Sequence, residues 1–185
     1  LFVIYAPVHP YTNKINIAKL RQIIEKIKRE DLIEGKPTKF VALIGIAGTT
    51  ETGNVDDLCG LAQLARELGA HYHVDAAWGG GSLLMEGSRE LLTGIELADS
   101  VSLDSHKLLY APNSMGICLF REVNDSRYIY HTSNYIIREG SVDQGRFTIE
   151  GSRPFAALKP WAALKIIGHG GYQIIFNHAR ELQTT

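Results

Sequence analysis

With 185 residues, 45% hydrophobic content and a formal net charge of −1, the chain has enough apolar material for a sizeable folded core. That charge balance gives no electrostatic basis for expecting nucleic acid or an anionic membrane surface as a partner. No stretch reaches the roughly 20 apolar residues that a membrane-spanning helix needs, and no signal peptide is visible.

The two cysteines, Cys59 and Cys118, lie in apolar runs far apart in sequence. They read as buried free thiols, which suits a reducing, cytoplasmic setting. The chain begins at Leu1 inside an apolar run and ends at Thr185 just after a helical pattern. Both ends therefore read as interior points of a longer polypeptide.

Residues 1–6 form an apolar run with the look of a strand, closed by Pro7 and Pro10. Ile17, Leu20, Ile23, Ile24 and Ile27 then recur at helical spacing, predicting a helix over residues 16–29 with Asn16 as its cap. Lys26, Lys28 and Arg29 read as the solvated end of that helix, where cations complement the dipole. Residues 40–47 are almost continuously apolar, as expected of a strand buried on both faces of a parallel sheet. A helix is predicted over residues 55–68, with Leu58, Leu61, Ala62, Ala65 and Leu68 inward and Gly69 as its stop.

A strand over 71–75 follows, then a loop over 78–81 and a short helical region near 88–94. Val101 and Leu103 belong to a further strand, and residues 115–120 to another. The stretch 121–151 is polar and tyrosine-rich without periodicity; a loop of that length reads as a functional lid or as disorder. Helical spacing returns over 155–167, where Pro160 marks a kink or a first turn, and again over 172–182 after a break at 168–171. Strands and helices alternate at the spacing of βαβ units. The fold class is thus α/β, a mainly parallel sheet covered by helices.

In such sheets ligands lie beyond the carboxyl ends of the strands. Thr50, Asp75 and the pair His106-Lys107 each follow an apolar strand, so topology alone brings three polar clusters to one edge. A lysine and a carboxylate delivered in this way suit pyridoxal 5'-phosphate: the amine carries the aldehyde as a Schiff base, and the carboxylate keeps the pyridine nitrogen protonated. Lys107 and Asp75 are the candidates. The small residues Ala76, Ala77, Gly79, Gly80 and Gly81 would let a flat ring lie against the backbone. His71 and His73 share a strand face, but no third metal ligand is evident, and no metal is expected.

Taken together, Gly48-Thr49-Thr50, His73-Val74-Asp75-Ala76-Ala77-Trp78-Gly79-Gly80, Ala98-Asp99-Ser100-Val101 and Ser105-His106-Lys107 resemble the group II pyridoxal-phosphate decarboxylases. That family includes glutamate, aspartate, aromatic amino acid and diaminobutyrate decarboxylases. The resemblance implies the aspartate-aminotransferase-type fold, with residues 1–185 as the second half of its large domain. The preceding part and a small C-terminal domain would lie outside the chain. It also implies that Lys107 is the Schiff-base lysine, His106 the neighbour reaching the phosphate, and Asp75 the pyridine-nitrogen carboxylate.

By the same resemblance Ala77 packs on the ring, Thr50 offers a cofactor-side hydroxyl, and Arg153 lies near the substrate carboxylate. Tyr135 falls in the mobile loop that holds the family's catalytic tyrosine, with Tyr128 and Tyr130 as nearby competitors. The implied assembly is a homodimer whose loop closes over a site at the interface. The implied reaction is decarboxylation of an L-amino acid, and the motif details look closest to the glutamate and aspartate branch, with aromatic substrates open. Another pyridoxal-phosphate reaction on the same fold, or a non-catalytic interaction module, are the rival readings.

Overall fold

The computed structural model describes residues 2–113, 115–130, 140, 144–148 and 151–183. Helix α1 (Ile17–Glu34) starts where the Asn16 side chain accepts the Lys19 N–H at 3.0 Å and stops at Gly35, whose φ of 68° suits glycine. It therefore outruns the sequence expectation by five residues. Lys26 and Lys28 consequently sit mid-helix, paired on the surface with Glu30 and Glu25, and no basic residue occupies the last turn.

Strands β1 (Ala42–Ile46), β2 (His71–Asp75) and β3 (Ser100–Asp104) run parallel, and β4 (Gly116–Phe120) adds antiparallel to β3, in the order β1-β2-β3-β4. Helix α2 (Leu58–Leu68) connects β1 to β2. Asp57 caps it by accepting the Gly60 N–H at 2.9 Å, and Gly69 closes it in the left-handed conformation. Its buried face holds Leu58, Leu61, Ala62 and Ala65 against Tyr72 and Val74 of β2. Leu64, absent from the expected stripe, is buried beneath Leu20 and Ile24 of α1, while Leu68 is only half-buried. α2 is thus gripped from two sides, and truncating Leu61 to Ala would cost about 2–5 kcal/mol.

Three expectations are corrected. Residues 2–7 form no strand: Val8 makes a single bridge to Ile15, and Phe2, Val3 and Tyr5 are exposed, because no strand among the described residues offers them a hydrogen-bonding edge. β1 is not covered on both faces. The helix side is filled, but Ile44 on the opposite face is 55% exposed among the described residues. Cys59 and Cys118 are free but exposed, Cys118 on the same open sheet face and Cys59 in the first turn of α2 with its Sγ toward Thr93 O.

The residues beyond Trp78 form a 3-10 turn (Gly79–Leu84) rather than an open loop, and a second one covers Arg89–Leu92. Helix α3 (Leu158–Gln183) is broken at Gly168 alone (φ 62°, ψ 174°), a narrower break than the sequence suggests. Pro160 occupies its first turn, where a missing N–H costs nothing. Within 121–151 the described residues contain 3-10 turns at Val123–Ile129 and Gln144–Phe147. No helix of the structure is long and apolar enough to cross a membrane, among the described residues.

Candidate active site

Parallel register builds the site. Ile46 and Asp75 end β1 and β2 side by side, and Ser102, in the middle of β3, stands next to Asp75. Beyond β1 the chain turns at Gly48 (φ 94°), against which Gly79 packs so closely that a Cβ there would lie 2.2 Å from Ala47 O. The Gly79 N–H donates to that carbonyl at 3.1 Å. Gly80 and Gly81 similarly meet the Leu103 side chain and Leu108. These glycines therefore serve close packing of the protein on itself, and they do not clear space for a ring as expected from sequence.

The Asp75 carboxylate is fixed by two donors, both on Oδ1: the Ala77 N–H at 3.0 Å and the Ser102 hydroxyl at 2.8 Å. Nearby, Ser100 Oγ lies 2.8 Å from both His71 Nε2 and His73 Nδ1, so one ring donates to the hydroxyl and the other accepts its single proton. Burial pushes the His73 imidazole below its usual range, opposed by the Asp75 charge.

After β3 a tight turn brings Lys107 back. Its N–H donates to Asp104 O at 3.4 Å, and its Nζ stands 3.0 Å from Asp104 Oδ2. His106 Nε2 lies 3.8 Å from the same oxygen, while His106 Nδ1 and Ser105 Oγ are buried without a hydrogen-bond partner among the described residues. The loop is anchored from α3, where the buried Tyr172 hydroxyl donates to Leu109 O at 2.7 Å.

Thr50, Asp75, Ala77 and Lys107 meet in one cleft of about 170 Å³, together with Trp78 and the backbone of Gly48. Four of the seven residues singled out from sequence thus share a site. His106 adjoins it through the Lys107 turn. Arg153 does not line it: its guanidinium donates to Thr148 Oγ1 at 2.8 Å and to Gly151 O at 3.2 Å. Tyr135 lies outside the described residues. Of its competitors, Tyr128 is exposed beneath the Arg127 guanidinium, and Tyr130 rests against Phe147 and Arg146; neither lines the cleft.

Sequence reading missed Ser102, Asp104 and Trp78. Alternation along β3 puts Ser102 and Asp104 on the Asp75 face, which is the signal that would have found them. Among the described residues, no group of three or more His, Cys, Asp or Glu is arranged to hold a metal.

The model of the pyridoxal-dependent decarboxylase conserved domain matches residues 7–185. The chain belongs to the pyridoxal-dependent decarboxylase family. Among relatives in this family, aspartate 1-decarboxylase of Aliivibrio fischeri is 45% identical over 148 residues, covering 80% of this chain and 27% of the relative. Aromatic-L-amino-acid decarboxylase of Bacillus atrophaeus is 33% identical over 174 residues, covering 89% of this chain and 34% of the relative. The crystal structure of mouse CSAD in apo form superposes with a TM-score of 0.78 at 30% identity, covering 94% of this chain and 36% of that one. The chain thus spans about a third of the length of the decarboxylases it resembles, and it shares their mixed, mostly parallel sheet with helices.

Proposed function

We propose that the whole protein uses pyridoxal 5'-phosphate to decarboxylate an L-amino acid to its amine, with an acidic amino acid, aspartate or glutamate, as substrate. The observation that carries this is the common cleft of Lys107 and the donor-fixed Asp75. The residues fit the cofactor, because the cleft offers a primary amine, a carboxyl group fixed by two donors and a small Ala77 side chain. Beside it, His106 Nδ1 and Ser105 Oγ are buried polar atoms that lack partners among the described residues, as a phosphate neighbourhood would leave them. When bound, the cofactor supplies an electron sink for the pair left by the departing carboxylate.

The chain's own residues do the rest. Lys107 would provide the tethering amine, and Asp75, its Oδ1 held by Ser102 and the Ala77 N–H, would serve the ring nitrogen. Ala77 limits bulk against the ring, Thr50 offers a hydroxyl, and His106 contributes to holding the phosphate. Arg153 engages the substrate carboxylate in the assembled protein, and Tyr135 returns the proton to Cα. Acidic substrate choice is supported by the 45% identity to an aspartate 1-decarboxylase. An aromatic substrate is the second reading, supported by the 33% identity to an aromatic-L-amino-acid decarboxylase. We further propose a cytoplasmic homodimer whose large domain includes residues 1–185 as its second half.

The test is product analysis of the full-length protein with a panel of amino acids. Carbon dioxide and β-alanine from aspartate, or γ-aminobutyrate from glutamate, support the proposal. Amines from aromatic substrates alone would establish the second reading, and keto acids without carbon dioxide would refute both.

A further inference from the structure

Asp104 is the residue that Lys107 touches. Its Oδ2 lies 3.0 Å from Nζ, with the two side chains only 22% and 26% exposed. The contact is built into the backbone. The Lys107 N–H closes the turn on Asp104 O, and the Asp104 N–H ties that turn to Ala77 O at 3.3 Å. Across β3 and β4, Asp104 pairs with Gly116, where a Cβ would come within 3.3 Å of Oδ1, so glycine leaves the carboxylate its room. Asp75 differs: its donors are an amide and a hydroxyl, which keep their protons. The partners of the Asp104 carboxylate are an ammonium and an imidazole, which exchange theirs.

We infer that Asp104 carries protons for Lys107. Resting on the reading of Lys107 as the cofactor lysine, the step balances as follows. Oδ2 takes one proton from the Nζ ammonium and frees its lone pair. The amine adds to the aldehyde carbon, and a second N–H proton passes to the aldehyde oxygen. Asp104 then returns its proton to that oxygen, which leaves as water while the C=N bond forms with one proton on nitrogen. Two of the three ammonium protons end in the water, and Asp104 finishes as it began. Release of Lys107 by an incoming substrate amine uses the same contact in reverse.

The experiment measures uptake of pyridoxal 5'-phosphate by the cofactor-free full-length protein, followed by absorbance in stopped flow. Asp104→Asn, equal in size, should slow uptake about a hundredfold or more, within the usual reach of general acid–base groups. Asp104→Glu should recover part of the rate, and Asp104→Ala should recover in proportion to added formate. A structural role alone would not respond to formate. Uptake by Asp104→Asn as fast as native or faster would overturn the inference, as would a slow Asp104→Ala indifferent to formate. Borohydride reduction and peptide mapping of the native protein separate the two layers. A label on another lysine defeats the reading of Lys107 itself, whereas a label on Lys107 with unchanged variant rates defeats only the role of Asp104.

Discussion

Replacing Asp75 by Asn should cripple catalysis while leaving the fold nearly intact, and the structure dictates why. The two donors at this side chain both point to Oδ1. An asparagine must turn its carbonyl oxygen toward them, which sends its NH₂ group into the cleft in place of Oδ2. The ring nitrogen of the bound cofactor, itself an N–H donor when protonated, would then face another donor. A hydrogen bond to a charged group contributes about 1.5–3 kcal/mol, and leaving a donor unmatched costs about 1–3 kcal/mol more. The sum is about 2.5–6 kcal/mol, or roughly two to four decades in turnover. Both original donors keep an oxygen acceptor, so stability without cofactor should change by no more than about 1 kcal/mol. The assay pairs carbon dioxide release by the full-length variant with thermal unfolding of its cofactor-free form. Near-native turnover would refute the reasoning, and so would a loss of turnover matched by an equal loss of stability.

Tyr135→Phe should divert part of the turnover to an aldehyde product, with activity fading and returning on addition of fresh pyridoxal 5'-phosphate; amine alone at native rate would move the acid to Tyr130 or Tyr128. Mixing a Lys107→Ala chain with a Tyr135→Phe chain should restore activity in mixed dimers, and silent mixed dimers would mean that each site is built from one chain. His73 should make the protein acid-sensitive. Its folded-state pKa is lowered below 6.5, chiefly by burial, so as pH falls through about 6.5 the unfolded chain gains protons that the native state refuses, and stability drops. His73→Gln should flatten that part of the thermal-midpoint profile; an unchanged slope would assign it to other groups.

The elements easiest to read were those whose local and long-range preferences agree. β2 was legible to the residue because Gly69 ends α2 just before it and Asp75 ends its apolar alternation. α2 was legible as a helix but not in its second buried face, since Leu64 is explained only by α1 crossing above it. The run at 1–6 has strand composition, yet a strand exists only where another edge accepts its hydrogen bonds. Exposure of Ile44 and of both cysteines could not be read either, because apolar character records what a surface prefers and not what covers it. At the site, Lys107 and Asp75 were legible as residues that end strands. Asp104 directly precedes Ser105-His106-Lys107, but its bond to Lys107 depends on the turn between them, and the glycines at 79–81 depend on how closely two strand ends approach.

That dependence makes register the quantity on which the site turns. Asp75 meets Ser102 only because β2 and β3 pair His73 with Ser100, and Asp75 reaches the cleft only because β1 stops level with it at Ile46. A slip of one residue would flip the strand, sending Asp75 into the helix-covered face and Val74 into the cleft. The apolar contacts of Tyr72 and Val74 with α2 oppose such a slip, since both side chains are almost wholly buried there. Fully burying side chains of this size contributes about 1.5–3 kcal/mol each. The packing of one sheet face therefore enforces the chemistry presented on the other, and the same register that fixes Asp75 carries Asp104 two residues on to the turn that aims Lys107.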